Sequence, residues 1–226
     1  MTIWIVLSGI IAPALFWIGY FYYKDRFQPE PIIKIGTCYL LGIVTGILCL
    51  KFFHFLYSLG IPDDLSIYME TERLKYLLYN VTLTGGIEEF FKFLPFLIAL
   101  RFKAFDEKVD GFVYASTIAL GFASYENSLH LVYMSGPEML GRAFASPLSH
   151  TIFASIWGYA IGCAKIKQKS ILKAAVISLP AAAVFHGLFN FLNISPSLRI
   201  GSALLILAGW IWRIRIQEKS VQKVKC

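Results

Sequence analysis

Apolar residues along this chain run in stretches too long and too continuous for the single stripe of a soluble helix or the alternation of a half-buried strand. Between charged positions and Pro/Gly breaks, the runs fall near residues 3–23, 33–59, 77–100, 109–133, 147–164, 172–193 and 198–213. Crossing a hydrocarbon layer of about 30 Å takes about 20 such residues in helical form. A helix is the single-segment structure that satisfies its own backbone in lipid. The pattern therefore predicts an all-α polytopic membrane bundle of about seven transmembrane helices, with residues 1–226 forming one domain. The second run is long and holds Lys51 and His54, so its far end is expected to tilt or leave the bilayer. No internal repeat, low-complexity tract or long linker interrupts the series.

Composition agrees: 57% of residues are hydrophobic and the mean hydropathy is +0.63, against roughly 45–50% apolar residues in a soluble domain. The first run begins Met1-Thr2-Ile3-Trp4-Ile5, lacks a basic flank and continues to Tyr23. It is expected to remain as a span rather than be removed as a signal peptide. Cys38, Cys49, Cys163 and Cys226 form no CxxC pair, so neither a disulfide framework nor a thiolate zinc site is indicated.

The net charge of +7 changes the picture through its distribution. Fifteen Lys and Arg residues flank spans in the first, third and fifth loops and the C-terminal tail, against four in the second, fourth and sixth loops. Basic flanks are retained in the cytoplasm, which predicts an outside N-terminus and a cytoplasmic C-terminus. The partner so implied is the lipid surface and not nucleic acid.

Several ionisable residues nonetheless fall inside the runs, where each costs roughly 2.5–3.5 kcal/mol on insertion scales. Glu88, Glu89 and Lys92 lie in the third, Glu126 and Asn127 in the fourth, His150 at the start of the fifth, and His186 with Asn190 late in the sixth. Given the topology and a rise of 1.5 Å per residue, Glu88, Glu126, His150 and His186 fall in the outer half of the bilayer, with His150 near its outer mouth. The inner halves of the spans read as almost wholly apolar. Residues four apart share a helix face, so Glu88 is expected to meet Lys92, and His186 to align with Asn190. Glu88 and Glu89 are expected to point apart, one toward a reacting water and the other as a supporting group. Gly85 and Gly86 would permit close helix approach.

Each residue also has a plainer reading. Glu88 or Glu89 with Lys92 is a self-neutralising ion pair, Glu126 a buried hydrogen-bonded acid, His150 a boundary residue, and His186 with Asn190 interhelical glue. His54 and His130 read as interfacial, and Lys51 as snorkelling. Four helices aiming acids and imidazoles at one level is what favours a site.

Hydrolysis of a peptide bond needs an activated nucleophile, oxyanion stabilisation and a proton donor for the leaving amine. A desolvated glutamate (Glu88 or Glu89) can serve as base and then acid, with His186 and Asn190, or His150, facing the oxyanion. Alternatively Glu126, His150 and His186 hold a catalytic zinc and another glutamate is the base. Both versions, metal-free and zinc-dependent, fit the same residues. No HExxH helix, GxGD loop or GxSxG turn is present.

The series Tyr23-Lys24-Asp25-Arg26 with Pro29-Glu30-Pro31, Glu88-Glu89-Phe90-Phe91-Lys92, Asp110-Gly111-Phe112-Val113-Tyr114, Gly121-Phe122-Ala123-Ser124-Tyr125-Glu126-Asn127, Ser149-His150 and His186-Gly187-Leu188-Phe189-Asn190 resembles the PrsW family of bacterial intramembrane proteases. The match runs in order from the first span through the sixth. The resemblance implies a multi-pass protein of the bacterial cytoplasmic membrane that makes the first, site-1 cut in the extracytoplasmic part of a single-pass substrate such as an anti-sigma factor, in a stress response. That family is similar to the type II CAAX-prenyl and bacteriocin-processing endopeptidases. In those, the first glutamate of a Glu-Glu-x-x-x-Arg motif activates water and a His-x-x-x-Asn element assists. Glu88, and His186 with Asn190, match these; Lys92 replaces the arginine one position early, and Glu126 stands where the relatives carry a histidine.

A proton- or cation-coupled transporter is the rival reading, since intramembrane acids and histidines also mark ion pathways. It predicts polar groups continuing through the bundle.

Overall fold

The computed structural model describes residues 3–24, 28–62, 72–134, 136–193 and 198–224. The helices are α1 (Ile3–Lys24), α2 (Ile32–Ser58), α3 (Arg73–Tyr79), α4 (Gly86–Ala99), α5 (Asp110–His130), α6 (Gly136–Ile166), α7 (Ile171–Asn193) and α8 (Arg199–Val224). A π-helical segment, Asn80–Gly85, joins α3 to α4 in one rod, and a short 3₁₀ turn, Leu131–Tyr133, ends α5. The described residues thus form seven rods, as the apolar runs predict. The end where α5 finishes and α6 begins is here called upper, and the opposite end lower.

Sequence dictates an inverted distribution of polarity. Large apolar side chains lie exposed on the outside, among them Leu40, Val44 and Phe55 on α2 and Val176, Ile177 and Val184 on α7, while Glu88, Glu89, Lys92, His150 and His186 are buried. A soluble protein does not expose apolar surface on this scale. With 27 and 23 residues, α2 and α7 are each long and apolar enough to cross a bilayer. Their lengths are about 40 and 35 Å. Polar side chains turned inward, among them Ser116, Thr117 and Ser124 of α5 and Ser149, Thr151 and Ser155 of α6, lower the hydropathy of those two rods.

Nearly every residue of α5 from Asp110 to Ser124 is buried, and this helix packs against α1, α2, α4 and α6. Close approach on two sides is made possible by glycine: Gly111 of α5 lies against the backbone of Gly158 in α6, and Gly85 meets α7 so tightly that an added Cβ would stand 2.6 Å from the Ala183 carbonyl oxygen. Gly86, expected to share that role, has ordinary room.

Three features depart from the sequence reading. Pro147, expected to open the fifth span, lies inside α6, which begins eleven residues earlier at Gly136. Proline removes one backbone donor but does not break a helix packed on both sides of it, and Met139 and Ala143 pack with Leu131 one turn above. His150 is therefore not a boundary residue; it sits about 21 Å along α6 and is buried. Next, α8 continues past the apolar run, and Arg213, counted as a cytoplasmic flank, is 1% exposed, stacked over the Phe21 ring at 3.9 Å and bonded to Ser116 Oγ at 2.9 Å. Finally, the lower half is not wholly apolar. Glu30 and Asp110 are buried there: Tyr114 donates a short hydrogen bond to Glu30, and Asp110 accepts from the backbone amides of Asp106 and Glu107 at 2.8 and 2.6 Å. Between this pair and the upper cluster lies a packed layer that is apolar at Phe96, Phe112, Ile118 and Trp157 and also buries the Ser116 and Ser155 hydroxyls, 3.4 Å apart.

Candidate active site

Four rods contribute to the upper cluster. The π segment matters first, because its wider turn resets the phase of the rod immediately before Glu88, as π-bulges do at many functional sites. Asn80, buried within it, holds the turn by donating from Nδ2 to the Tyr76 carbonyl at 2.9 Å. Below, α4 presents Glu88, Glu89 and Lys92. The i,i+3 and i,i+4 positions both lie within reach of a long side chain, so the Lys92 ammonium meets Glu89 Oε1 at 2.8 Å and Glu88 Oε2 at 3.4 Å. The two glutamates, expected to point apart, therefore share Lys92 as a partner.

Glu89 is fully engaged. Its Oε1 accepts from Lys92 and from His186 Nδ1 at 2.9 Å, and its Oε2 accepts from Trp157 Nε1 at 2.9 Å. A carboxylate can only accept, so the His186 proton is held on Nδ1 and the lone pair of Nε2 faces Glu88 Oε2, 3.6 Å away. At His150 the logic reverses. The Lys92 ammonium can only donate, so His150 Nδ1, 2.8 Å from it, is an acceptor and the proton belongs on Nε2, which lies 2.9 Å from Glu126 Oε2. The two rings meet edge to face with centroids 5.1 Å apart, and Phe153 stacks on His186.

Glu88, His150 and His186 each offer a ligand atom, and the three atoms lie within 4.8 Å of one another. The donor set fits a divalent metal: two imidazole nitrogens and a carboxylate oxygen, with the far nitrogen of each ring beside a second carboxylate, Glu89 or Glu126. Such outer carboxylates fix the tautomer and orientation of histidine ligands. Glu88 rather than Glu126 thus completes the group, and Glu126 lies behind His150, bound to Arg142 at 2.7 Å and 3.9 Å from His130. His130, read as merely interfacial, borders the cluster. Asn190 is only partly buried and, among the described residues, forms no hydrogen bond with the others.

The covered side of the site is α4: Lys92 and Glu89 are 0% and 1% exposed, whereas Glu88 is 9% exposed. Access lies along Glu88, Glu126 and Arg142. Two participants had no distinctive signal in the sequence. Trp157 reads as one more apolar residue of its span, and Arg142 reads as a loop charge.

A family model described as "PrsW family intramembrane metalloprotease" matches residues 30–213. The chain is 34% identical over 188 residues to Protease PrsW of Oceanobacillus iheyensis, covering 83% of this chain and 82% of that one. It is 28% identical over 215 residues to Protease PrsW of Halalkalibacterium halodurans, with 94% of each covered. With Protease PrsW of Bacillus subtilis it shares 27% over 211 residues, 92% of this chain and 86% of the relative. No solved structure matches. The matched stretch contains every residue of the upper cluster, and the chain belongs to the PrsW family of intramembrane metalloproteases.

Proposed function

We propose that this protein is a multi-pass endopeptidase of the bacterial cytoplasmic membrane, with seven spans, an outside N-terminus and a cytoplasmic C-terminus. In this reading it makes the site-1 cut in the extracytoplasmic part of a single-pass membrane protein of the anti-sigma-factor kind. The observation that carries the reading is the convergence of Glu88, His150 and His186 from three rods, with a carboxylate behind each imidazole. The alternating basic flanks turn this upper cluster toward the outside.

In the mechanism, Glu88, His150 and His186 would hold a zinc ion, through the ligand atoms that already lie within 4.8 Å of one another. When bound, such an ion polarises a carbonyl oxygen and lowers the pKa of a coordinated water toward about 7. Glu88 Oε1 has no partner among the described residues, since its contacts with Lys92, His150 and His186 all run through Oε2. It is assigned to take the proton of the attacking water and return it to the leaving amine. Glu89 and Glu126 hold the imidazoles in the required tautomers. Burial around Lys92 and Glu89 excludes bulk water and strengthens each of these interactions.

A transporter would need carboxylates or imidazoles continuing across the bundle, and among the described residues the layer of Phe96, Phe112, Ile118 and Trp157, with buried Ser116, Ser155 and Arg213, holds neither. The test is cleavage of a single-pass anti-sigma-like substrate by purified protein in detergent, with metal content measured on the same sample. A discrete fragment is expected from the wild type and none from Glu88→Gln. Undiminished cleavage by Glu88→Gln would remove the proposal.

A further inference from the structure

The cluster already contains a cation. The Lys92 side chain is fully buried, and its ammonium contacts Glu89 Oε1 at 2.8 Å, Glu88 Oε2 at 3.4 Å and His150 Nδ1 at 2.8 Å. Two of these three atoms belong to the proposed ligand set. His150 Nδ1 has a single lone pair, so it either accepts from Lys92 or binds an ion, never both.

We infer that Lys92 is a resident counter-cation that assembles the metal-free site and that an incoming divalent ion must displace its ammonium from His150. This rests on Glu88, His150 and His186 being the ligands. Three carboxylates, Glu88, Glu89 and Glu126, face one ammonium and the Arg142 guanidinium, leaving the group one charge negative with neutral imidazoles. In the absence of an ion, Lys92 offsets the repulsion between the adjacent acids of α4 and keeps the His150 lone pair turned toward Glu88. With an ion bound, the same ammonium is a like charge at close range and opposes it. Lys92 has somewhere to go: Glu89 Oε1 remains 2.8 Å from it, and the Phe122 ring lies 4.6 Å below, where a cation is attracted to the aromatic face. Lys92 is thus a positioning residue that trades a weaker hold on the ion for a site already formed before the ion arrives. A side chain that supported the ligands without competing would have the opposite effect on affinity when removed.

The experiment compares wild-type protein with Lys92→Met, Lys92→Gln and Lys92→Arg, all full length in detergent. Zinc affinity is measured by competition with a chelator, and melting temperature with and without zinc. Loss of the competitor is expected to tighten zinc binding about tenfold or more in Lys92→Met and Lys92→Gln, equivalent to about 1.4 kcal/mol, whereas Lys92→Arg keeps the charge and gains nothing. The same cycle read by melting predicts that zinc raises the midpoint of both neutral variants more than that of the wild type. Equal or weaker zinc binding by the neutral variants, with no larger zinc-dependent rise in melting, would overturn the inference while wild-type binding that is lost in His186→Ala upholds the ligand set. Absence of zinc binding in every variant and in the wild type would overturn both. Should Lys92→Met fail to fold, Lys92→Gln, which retains a hydrogen-bond donor to Glu89, carries the comparison.

Discussion

Glu88 and Glu89 in the upper half of the bundle and Glu30 and Asp110 in the lower half are all buried carboxylates, and their surroundings differ in kind. The lower pair is met by a phenol hydroxyl, by backbone amides and by one another, the two carboxyl groups sharing a hydrogen bond. Among the described residues none of these partners is an ammonium or an imidazole. The upper pair is met by an ammonium, two imidazoles and an indole, and one carboxylate oxygen, Glu88 Oε1, is left over. A buried acid whose partners are a hydroxyl, backbone amides and a second acid is part of the scaffold. A buried acid sharing partners that titrate or bind metals, with an acceptor to spare, can do chemistry. The charge count in the two halves is similar; the identity of the partners separates a structural pair from a site.

That contrast is tested most severely at Glu88. Glu88→Gln is expected to lower cleavage by roughly 10²–10⁴-fold and to empty the protein of zinc, because in the proposed mechanism the same side chain supplies a ligand and the proton acceptor. Cleavage assays with parallel metal analysis check both. Loss of cleavage with full zinc content would restrict Glu88 to the proton-transfer role.

Glu126→Gln comes next. If its carboxylate orients His150 from behind, zinc affinity should fall about 10–100-fold and cleavage should recover when zinc is raised. A variant that stays inactive at saturating zinc would show instead that Glu126 meets the substrate or the reacting water.

Much of this site was legible before any coordinates, for a physical reason: an ionisable residue in an apolar run is expensive, so Glu88, Glu89, Glu126, His150 and His186 stood out one by one. What sequence could not convey was reach and partnership. Periodicity paired Lys92 with Glu88 or with Glu89, and did not show that a long side chain spanning both i+3 and i+4 meets the two at once. It chose Glu126 for the ligand set, because nothing in the chain order says on which side of His150 that carboxylate lies. Pro147 read as a helix start, although tertiary packing holds α6 intact through it, and this misjudged the depth of His150. Asp110 sits at a span boundary and Glu30 in a loop, so neither looked buried, and Arg213 looked like a topological charge. Trp157 gave no signal because an indole within an apolar run is ordinary until its N–H finds Glu89.

Asn190→Ala has a smaller expected effect. Among the described residues its amide does not bond to the cluster, so cleavage should change about twofold or less, within the roughly 0.5 kcal/mol typical of substitutions away from such features. A large loss of cleavage at unchanged zinc content would mean that Asn190 engages the substrate, the role implied by the His-x-x-x-Asn resemblance.

The smallest effect on chemistry, and the most direct check on the lower half, is expected from Tyr114→Phe. Removing the hydroxyl deprives buried Glu30 of the short hydrogen bond from Tyr114, and losing one such bond costs about 0.5–1.5 kcal/mol, more when the acceptor is charged. The loss should appear as a lower denaturation midpoint in detergent. The apolar layer of Phe96, Phe112 and Trp157 separates Glu30 from the imidazoles, so zinc content and cleavage per folded molecule should match the wild type. If Tyr114→Phe instead lowered cleavage in protein that remains fully folded, the two halves would be coupled. Trp157 is then the residue through which that coupling would pass, since it packs against Phe96 below and donates to Glu89 above.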